Sequence, residues 1–109
     1  MLIFGLKNCD TCRKAMKAFP EAELRDVRAD GIPEDVLQRA FEAFGDRLLN
    51  TRSTTWRGLD ATERSQEPLS LIVAHPTLMK RPLILVDNHL FLGWNKEVEG
   101  EVSVLLQTD

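Results

Sequence analysis

Leu2-Ile3-Phe4-Gly5-Leu6-Lys7-Asn8-Cys9-Asp10-Thr11-Cys12-Arg13-Lys14-Ala15-Met16-Lys17-Ala18-Phe19-Pro20 opens the chain and decides how the rest is read. Leu2 to Leu6 is a short apolar run closed by Lys7-Asn8, the pattern of a buried strand. Thr11 to Phe19 predicts a helix. Cys12, Met16 and Phe19 fall at i, i+4 and i+7 on one face, and Pro20 stops it. Leu24 to Val27 is the next candidate strand. Strand, helix and strand in that order imply a parallel pair with a right-handed crossover. Two cysteines sit at the junction of the first strand and first helix. Ligands of such α/β sheets bind at the carboxyl ends of the strands, so the junction is a candidate site.

Working outward, Pro33 is expected at the first position of a helix, with Glu34 and Asp35 in its first turn. Val36, Leu37, Ala40, Phe41 and Phe44 form its core face, and Gly45 closes it. Asn50 to Thr55 is polar and reads as a loop. Asp60 and Glu63 have the spacing of a capping box. Pro68 opens another helix, with Leu69, Ile72 and Val73 expected inward, and His75-Pro76 ends it. Pro82 to Val86 predicts a strand, Asp87-Asn88 a turn, and His89 to Leu92 the returning strand of a hairpin. Asn95 caps a last helix whose inward face is Val98, Val102 and Leu105. The pattern is β-α-β, a helical stretch, then β-β-α. The fold class is α/β with a mixed sheet.

The composition bounds the function. The 109 residues suit one domain, residues 1–109. Fourteen basic and seventeen acidic residues give a net charge of −3, which argues against a broad nucleic-acid-binding surface. No apolar run is long enough to span a membrane. Met1-Leu2-Ile3-Phe4 has no charged n-region and no small-residue cleavage site after it. No signal peptide is expected, and the expected location is cytoplasmic.

Cys9 and Cys12 are the only cysteines and form a Cys-x-x-Cys. Chance would give that separation roughly 2% of the time, so a functional pair is favoured over two unrelated structural cysteines. Thiol chemistry needs the thiolate. Cys9 precedes the helix, where unpaired N–H groups and the helix dipole favour an anion. Lys7 and Arg13 act in the same direction and Asp10 against it, so a lowered pKa is expected. Cys12, one turn later and facing the core, is the expected resolving thiol. A zinc centre would need two more ligands. Only His75 and His89 are available, at unsuitable spacing, so no metal is expected.

Two further segments are anion-friendly. Arg81 precedes Pro82 at a strand start, where its planar fork could hold a carboxylate or oxyanion. Composition alone leaves a solvated surface arginine and an ordinary trans Pro82 as the simpler alternatives. Asn50-Thr51-Arg52-Ser53-Thr54-Thr55-Trp56-Arg57 adds guanidiniums and hydroxyls, or else is a solvent-facing loop anchored by Trp56.

Lys7-Asn8-Cys9-Asp10-Thr11-Cys12-Arg13-Lys14-Ala15, Asn50-Thr51-Arg52-Ser53, His75-Pro76 with Lys80-Arg81-Pro82-Leu83-Ile84, and Leu92-Gly93-Trp94-Asn95-Lys96-Glu97-Val98 together resemble the arsenate reductase-like family of the thioredoxin superfamily, with its ArsC, Spx and YffB branches. The resemblance implies a thioredoxin-like fold with a helical insertion, about residues 31–79, between the second and third strands. It implies that Cys9 is catalytic, with Cys12 as its partner, and that Arg81 binds an oxyanion before a cis-Pro82. Arg13, Arg52 and Pro82 become candidate substrate contacts. The family's arsenate reductases carry further arginines and a histidine where this chain has Asn50, Gly93-Trp94-Asn95 and Gly5. That departure argues against arsenate reduction itself. The implied activity is a thiol-dependent reductase with no bound cofactor. Glutathione is its candidate co-substrate, and glutathione, a glutaredoxin or a thioredoxin its reductant. The alternative is an Spx-like redox-sensing regulator that binds RNA polymerase.

Overall fold

Strand β1 (Leu2–Gly5) is the hub of a four-stranded mixed sheet in a computed structural model that describes residues 1–107. It pairs in parallel with β2 (Glu23–Asp26) on one side and antiparallel with β3 (Leu83–Val86) on the other. β4 (His89–Leu92) completes the order β2-β1-β3-β4. The β1–β2 connection is α1 (Asp10–Ala18), as a parallel pair requires. Asp87 turns the β3–β4 hairpin with φ 52°, a left-handed conformation that aspartate tolerates. Asn95 caps α7 (Lys96–Gln107), its side-chain oxygen accepting from the Val98 N–H at 2.8 Å.

The register explains the core of this unit, which comprises Met1–Asp26 and Arg81–Asp109. Leu24, Ile3, Ile84 and Phe91 are directly opposite one another across the four strands. Side chains in register share a face. That row packs with Ala15 and Met16 of α1 and with Val98, Val102 and Leu105 of α7. Ile3, Ile84 and Val102 are fully buried, each worth about 1.5–3 kcal/mol of transfer free energy. Phe19 meets Trp94 edge-to-face at 5.8 Å, which ties the end of α1 to the turn before α7. The thioredoxin-like sheet has the expected β-α-β and β-β-α halves.

The second unit is Val27–Lys80. It holds α2 (Val27–Asp30), α3 (Glu34–Phe44), α4 (Thr54–Arg57), α5 (Ala61–Arg64) and α6 (Pro68–Ala74), with short 3₁₀ turns at Gly45–Leu48 and Pro76–Leu78. Helix α3 packs on α6. Two hydrogen bonds, Asn50 N–H to Leu78 O at 2.7 Å and Lys80 N–H to Leu48 O at 2.8 Å, bring 48–50 alongside 78–80. The Asp60–Glu63 capping box is present in both directions. Three local expectations shift. Pro33 is the residue before the helix rather than its first member, and Thr54–Arg57 forms a helical turn in a stretch whose polarity predicts a loop. Val73 is 70% exposed, because α6 buries Leu71 and Ile72 instead. Among the described residues, no helix is long and apolar enough to cross a membrane.

Candidate active site at the β1–α1 junction

Cys9 is the N-cap of α1 in an extended conformation. Its carbonyl accepts the first helical hydrogen bond from the Arg13 N–H at 2.9 Å, while its own N–H reaches Leu6 O at 3.3 Å. The tight return from β1 therefore delivers Cys9 to the helix start with its side chain partly exposed. Cys12 is one turn further and fully buried. Both cysteines are free thiols.

The two sulfurs have opposite electrostatics. Burial raises the pKa of Cys9, but hydrogen bonding from Thr11, the Cys12 N–H and side chain, and the Arg81 side chain outweighs it and brings the pKa down to about 7. The Cys9 side chain closes no capping hydrogen bond, yet the Cys12 N–H still favours its anion. Cys12 is pushed up to about 12, chiefly by burial and further by the neighbouring Cys9 sulfur. One thiol is poised to ionise near neutrality and the other stays protonated.

The segment before β3 completes the site. The Arg81–Pro82 peptide is cis, as the family resemblance implied. Pro82 is fully buried, and its carbonyl accepts from the Gly93 N–H at 2.9 Å. Thr11 links this segment to the cysteine. Its Oγ1 lies 3.2 Å from Cys9 Sγ and donates to the Arg81 carbonyl at 3.3 Å. Sequence reading assigned Thr11 no part. It also gave Gly5 no part, although a Cβ there would overlap Cys12 Sγ.

The structure thus gathers Cys9, Cys12, Arg81 and Pro82. Arg13 lies on the same helix with its guanidinium on Asp10 at 2.7 Å and near Asn8 O at 3.5 Å. Arg52 lies in the other unit, exposed, in the turn before α4, where its N–H bonds Asn50 Oδ1 and its carbonyl accepts from Arg57. Trp56 is partly exposed beneath the Arg64 guanidinium, 5.5 Å from its ring. His75 ends α6, 3.9 Å from Glu63, and His89 is exposed on β4. Among the described residues no three His, Cys, Asp or Glu side chains converge as a metal site would require.

A pH prediction follows from the Cys9 environment. The thiol is protonated below its pKa, so alkylation of Cys9 should climb with pH, pass its midpoint near about 7 and level off only well above it. Cys12 should stay unmodified throughout. Because the folded-state pKa lies below that of a free thiol, ionised Cys9 adds stability as pH rises from about 7 towards the free-thiol value, and that gain is lost on return. Peptide-resolved alkylation across pH measures it. A Cys9 midpoint at the free-thiol value would contradict the site geometry.

The chain is similar in sequence and fold to known proteins. The chain is 41% identical over 104 residues to an uncharacterized protein of Haemophilus influenzae, with 87% of this chain and 91% of that one covered. It is 29% identical over 105 residues to the global transcriptional regulator Spx of Bacillus subtilis, with 87% and 80% covered. A solved YFFB protein superposes with a TM-score of 0.83 at 27% identity, over 92% of this chain and 96% of that one. An arsenate reductase (ArsC) related protein of Brucella melitensis gives 0.66 at 27% identity, over 97% and 93%. The ArsC family model matches residues 4–102, a span that takes in both cysteines and all of β2, β3 and β4, and the chain belongs to the ArsC family.

Proposed function

We propose that this ArsC-family protein is a cytoplasmic thiol-dependent reductase with Cys9 as its nucleophile. The observation that carries the reading is the asymmetry of the pair. Cys9 is accessible with a pKa brought down to about 7, beside a buried Cys12 pushed up to about 12. The Cys9 thiolate attacks one sulfur of a disulfide, forming a mixed disulfide and expelling the other half as a thiolate that takes a proton from water. Cys12 then gives its proton to water and attacks the Cys9 sulfur. A Cys9–Cys12 disulfide forms, and the departing substrate thiolate takes a proton from water. Part of what holds Cys12 protonated is Cys9 itself, and that part disappears once Cys9 is in the adduct. Glutathione can do the same work from outside, attacking the mixed disulfide and freeing Cys9. Reduction of the internal disulfide needs an external dithiol or glutathione system.

Mass spectrometry after exposure to oxidised glutathione, beside a glutathione-coupled turnover assay, tests the reading. The expected products are a Cys9–glutathione adduct or the internal disulfide, with turnover. Unreacted protein would overturn it. The similarity to Spx regulators favours a second reading. There, Cys9–Cys12 oxidation alters a surface read by RNA polymerase, without turnover. Capture of the polymerase by only one redox form, with no reductase activity, would select it.

Arg81, with Arg13 as a further candidate in the same unit, orients an anionic group of the substrate in this scheme. Arg81→Lys keeps the charge but loses the paired parallel donors. Such a bond is worth about 1.5–3 kcal/mol, so kcat/KM should fall by roughly one to two decades. The thermal melt should barely move. Unchanged kinetics, or a loss matched by lost stability, would make Arg81 an ordinary surface residue.

A further inference from the structure

Thr11 stands between the nucleophile and the segment before β3. Its Oγ1 is 3.2 Å from Cys9 Sγ and 3.3 Å from the Arg81 carbonyl oxygen. A hydroxyl has one hydrogen to give and can accept two. It cannot donate in both directions at once. While Cys9 is a thiol, the self-consistent arrangement is S–H donating to Thr11 Oγ1 and Thr11 O–H donating to the carbonyl. A thiolate has no hydrogen and can only accept.

We propose that Thr11 is a positioning residue for the Cys9 thiolate, its single hydroxyl hydrogen turning from the Arg81 carbonyl to the sulfur when Cys9 ionises. The inference rests on reading Cys9 as the nucleophile. The proton lost by sulfur goes to water. Thr11 keeps its own hydrogen, and only the O–H direction changes. Two features make the device local. Thr11 is in the first turn of α1, where the helix fixes its backbone, and its branched side chain is stiff at χ1. Thr11 is also among the groups that favour the Cys9 anion. The other titratable or charged groups that act on the sulfur are Cys12 on α1 and Arg81 before β3; Lys7, Asp10 and Arg13 are its charged neighbours in the chain, the last two paired with each other. All stay in place in the variants below.

The test compares Thr11→Val, which keeps the shape and loses the hydroxyl, with Thr11→Ser, which keeps the hydroxyl. The Cys9 pKa is read from thiolate absorbance and from peptide-resolved alkylation against pH, with a thermal melt alongside. Thr11→Val should raise the Cys9 pKa by about one unit and slow alkylation roughly tenfold below it, with recovery at alkaline pH. Thr11→Ser should hold the wild-type titration. An unchanged pKa in the valine variant would overturn the proposal, and so would an equal shift in both variants. If the valine variant melts early, Thr11→Ala replaces it with the same expectation. A pKa that follows the hydroxyl, in a protein that turns over no disulfide, supports the Thr11 role while rejecting the reductase reading.

Discussion

Cys9→Ser is expected to lose thiol-dependent turnover by roughly three decades or more, because a serine hydroxyl is scarcely ionised where the Cys9 thiol is half thiolate. The fold should survive, since the Cys9 side chain is partly exposed and closes no capping bond. Cys12→Ser should act differently. The first attack needs only Cys9, so a mixed disulfide should still form and then persist until an external thiol removes it. The measurement is single-turnover mass spectrometry of both variants with a glutathione disulfide, followed by steady-state rates at several glutathione concentrations. Adduct formation on the Cys9→Ser protein would move the nucleophile to Cys12. Full turnover by Cys12→Ser with glutathione alone would make Cys12 dispensable and glutathione the resolving thiol.

The front of the chain was legible because several local signals agree there. An apolar run, a turn, an apolar face at helical spacing and Pro20 give a strand and helix that the structure places within one or two residues. Caps were legible for a similar reason. Asp60 with Glu63, and Asn95 with Val98, satisfy helix N–H groups within a few residues of themselves. Short elements were not. Val27–Asp30 and Thr54–Arg57 are single turns, too short to show a period. Val73 was misplaced because the apolar stretch of α6 is too brief to say which side faces in. Leu69, Leu71, Ile72 and Val73 are all apolar, and only packing chose Leu71 and Ile72.

The site divides along the same line. Cys9 and Cys12 could be found from spacing and from their place before a helix. Arg81 and Pro82 needed the family resemblance, because nothing in residues 80–82 alone distinguishes a positioned arginine and a cis peptide from a common turn. Thr11 was out of reach. Its role depends on the Arg81 carbonyl, which is seventy positions away in the chain. Gly5 lay in plain sight as a glycine within a strand. That is a known mark of close backbone approach, but its partner is visible only once α1 is folded back.

Gly5→Ala should destabilise the protein by about 2–3 kcal/mol, lowering the melting temperature by roughly ten degrees or more. Two effects oppose each other. Alanine has less freedom in the unfolded chain, and Gly5 is in ordinary extended backbone opposite Asp26, so the substitution would on that ground gain about 0.4–1 kcal/mol. The new Cβ, however, would overlap Cys12 Sγ and lie 3.3 Å from Cys12 Cβ. Cys12 is fully buried on the core side of α1, so its sulfur cannot swing aside at little cost. Overpacking of this kind exceeds the entropic gain. The clash is with one sulfur, which permits a sharper test. Cys12→Ala in the Gly5→Ala background removes that sulfur and leaves only the tight Cβ contact. The double variant should be more stable than the sum of the single losses by at least about 1 kcal/mol. Denaturant melts of the four proteins close the cycle. A Gly5→Ala protein as stable as the parent, or strictly additive losses, would show that β1 and α1 do not approach through this pair. The expected coupling would establish that a glycine in the first strand is what lets the buried thiol sit beneath Cys9.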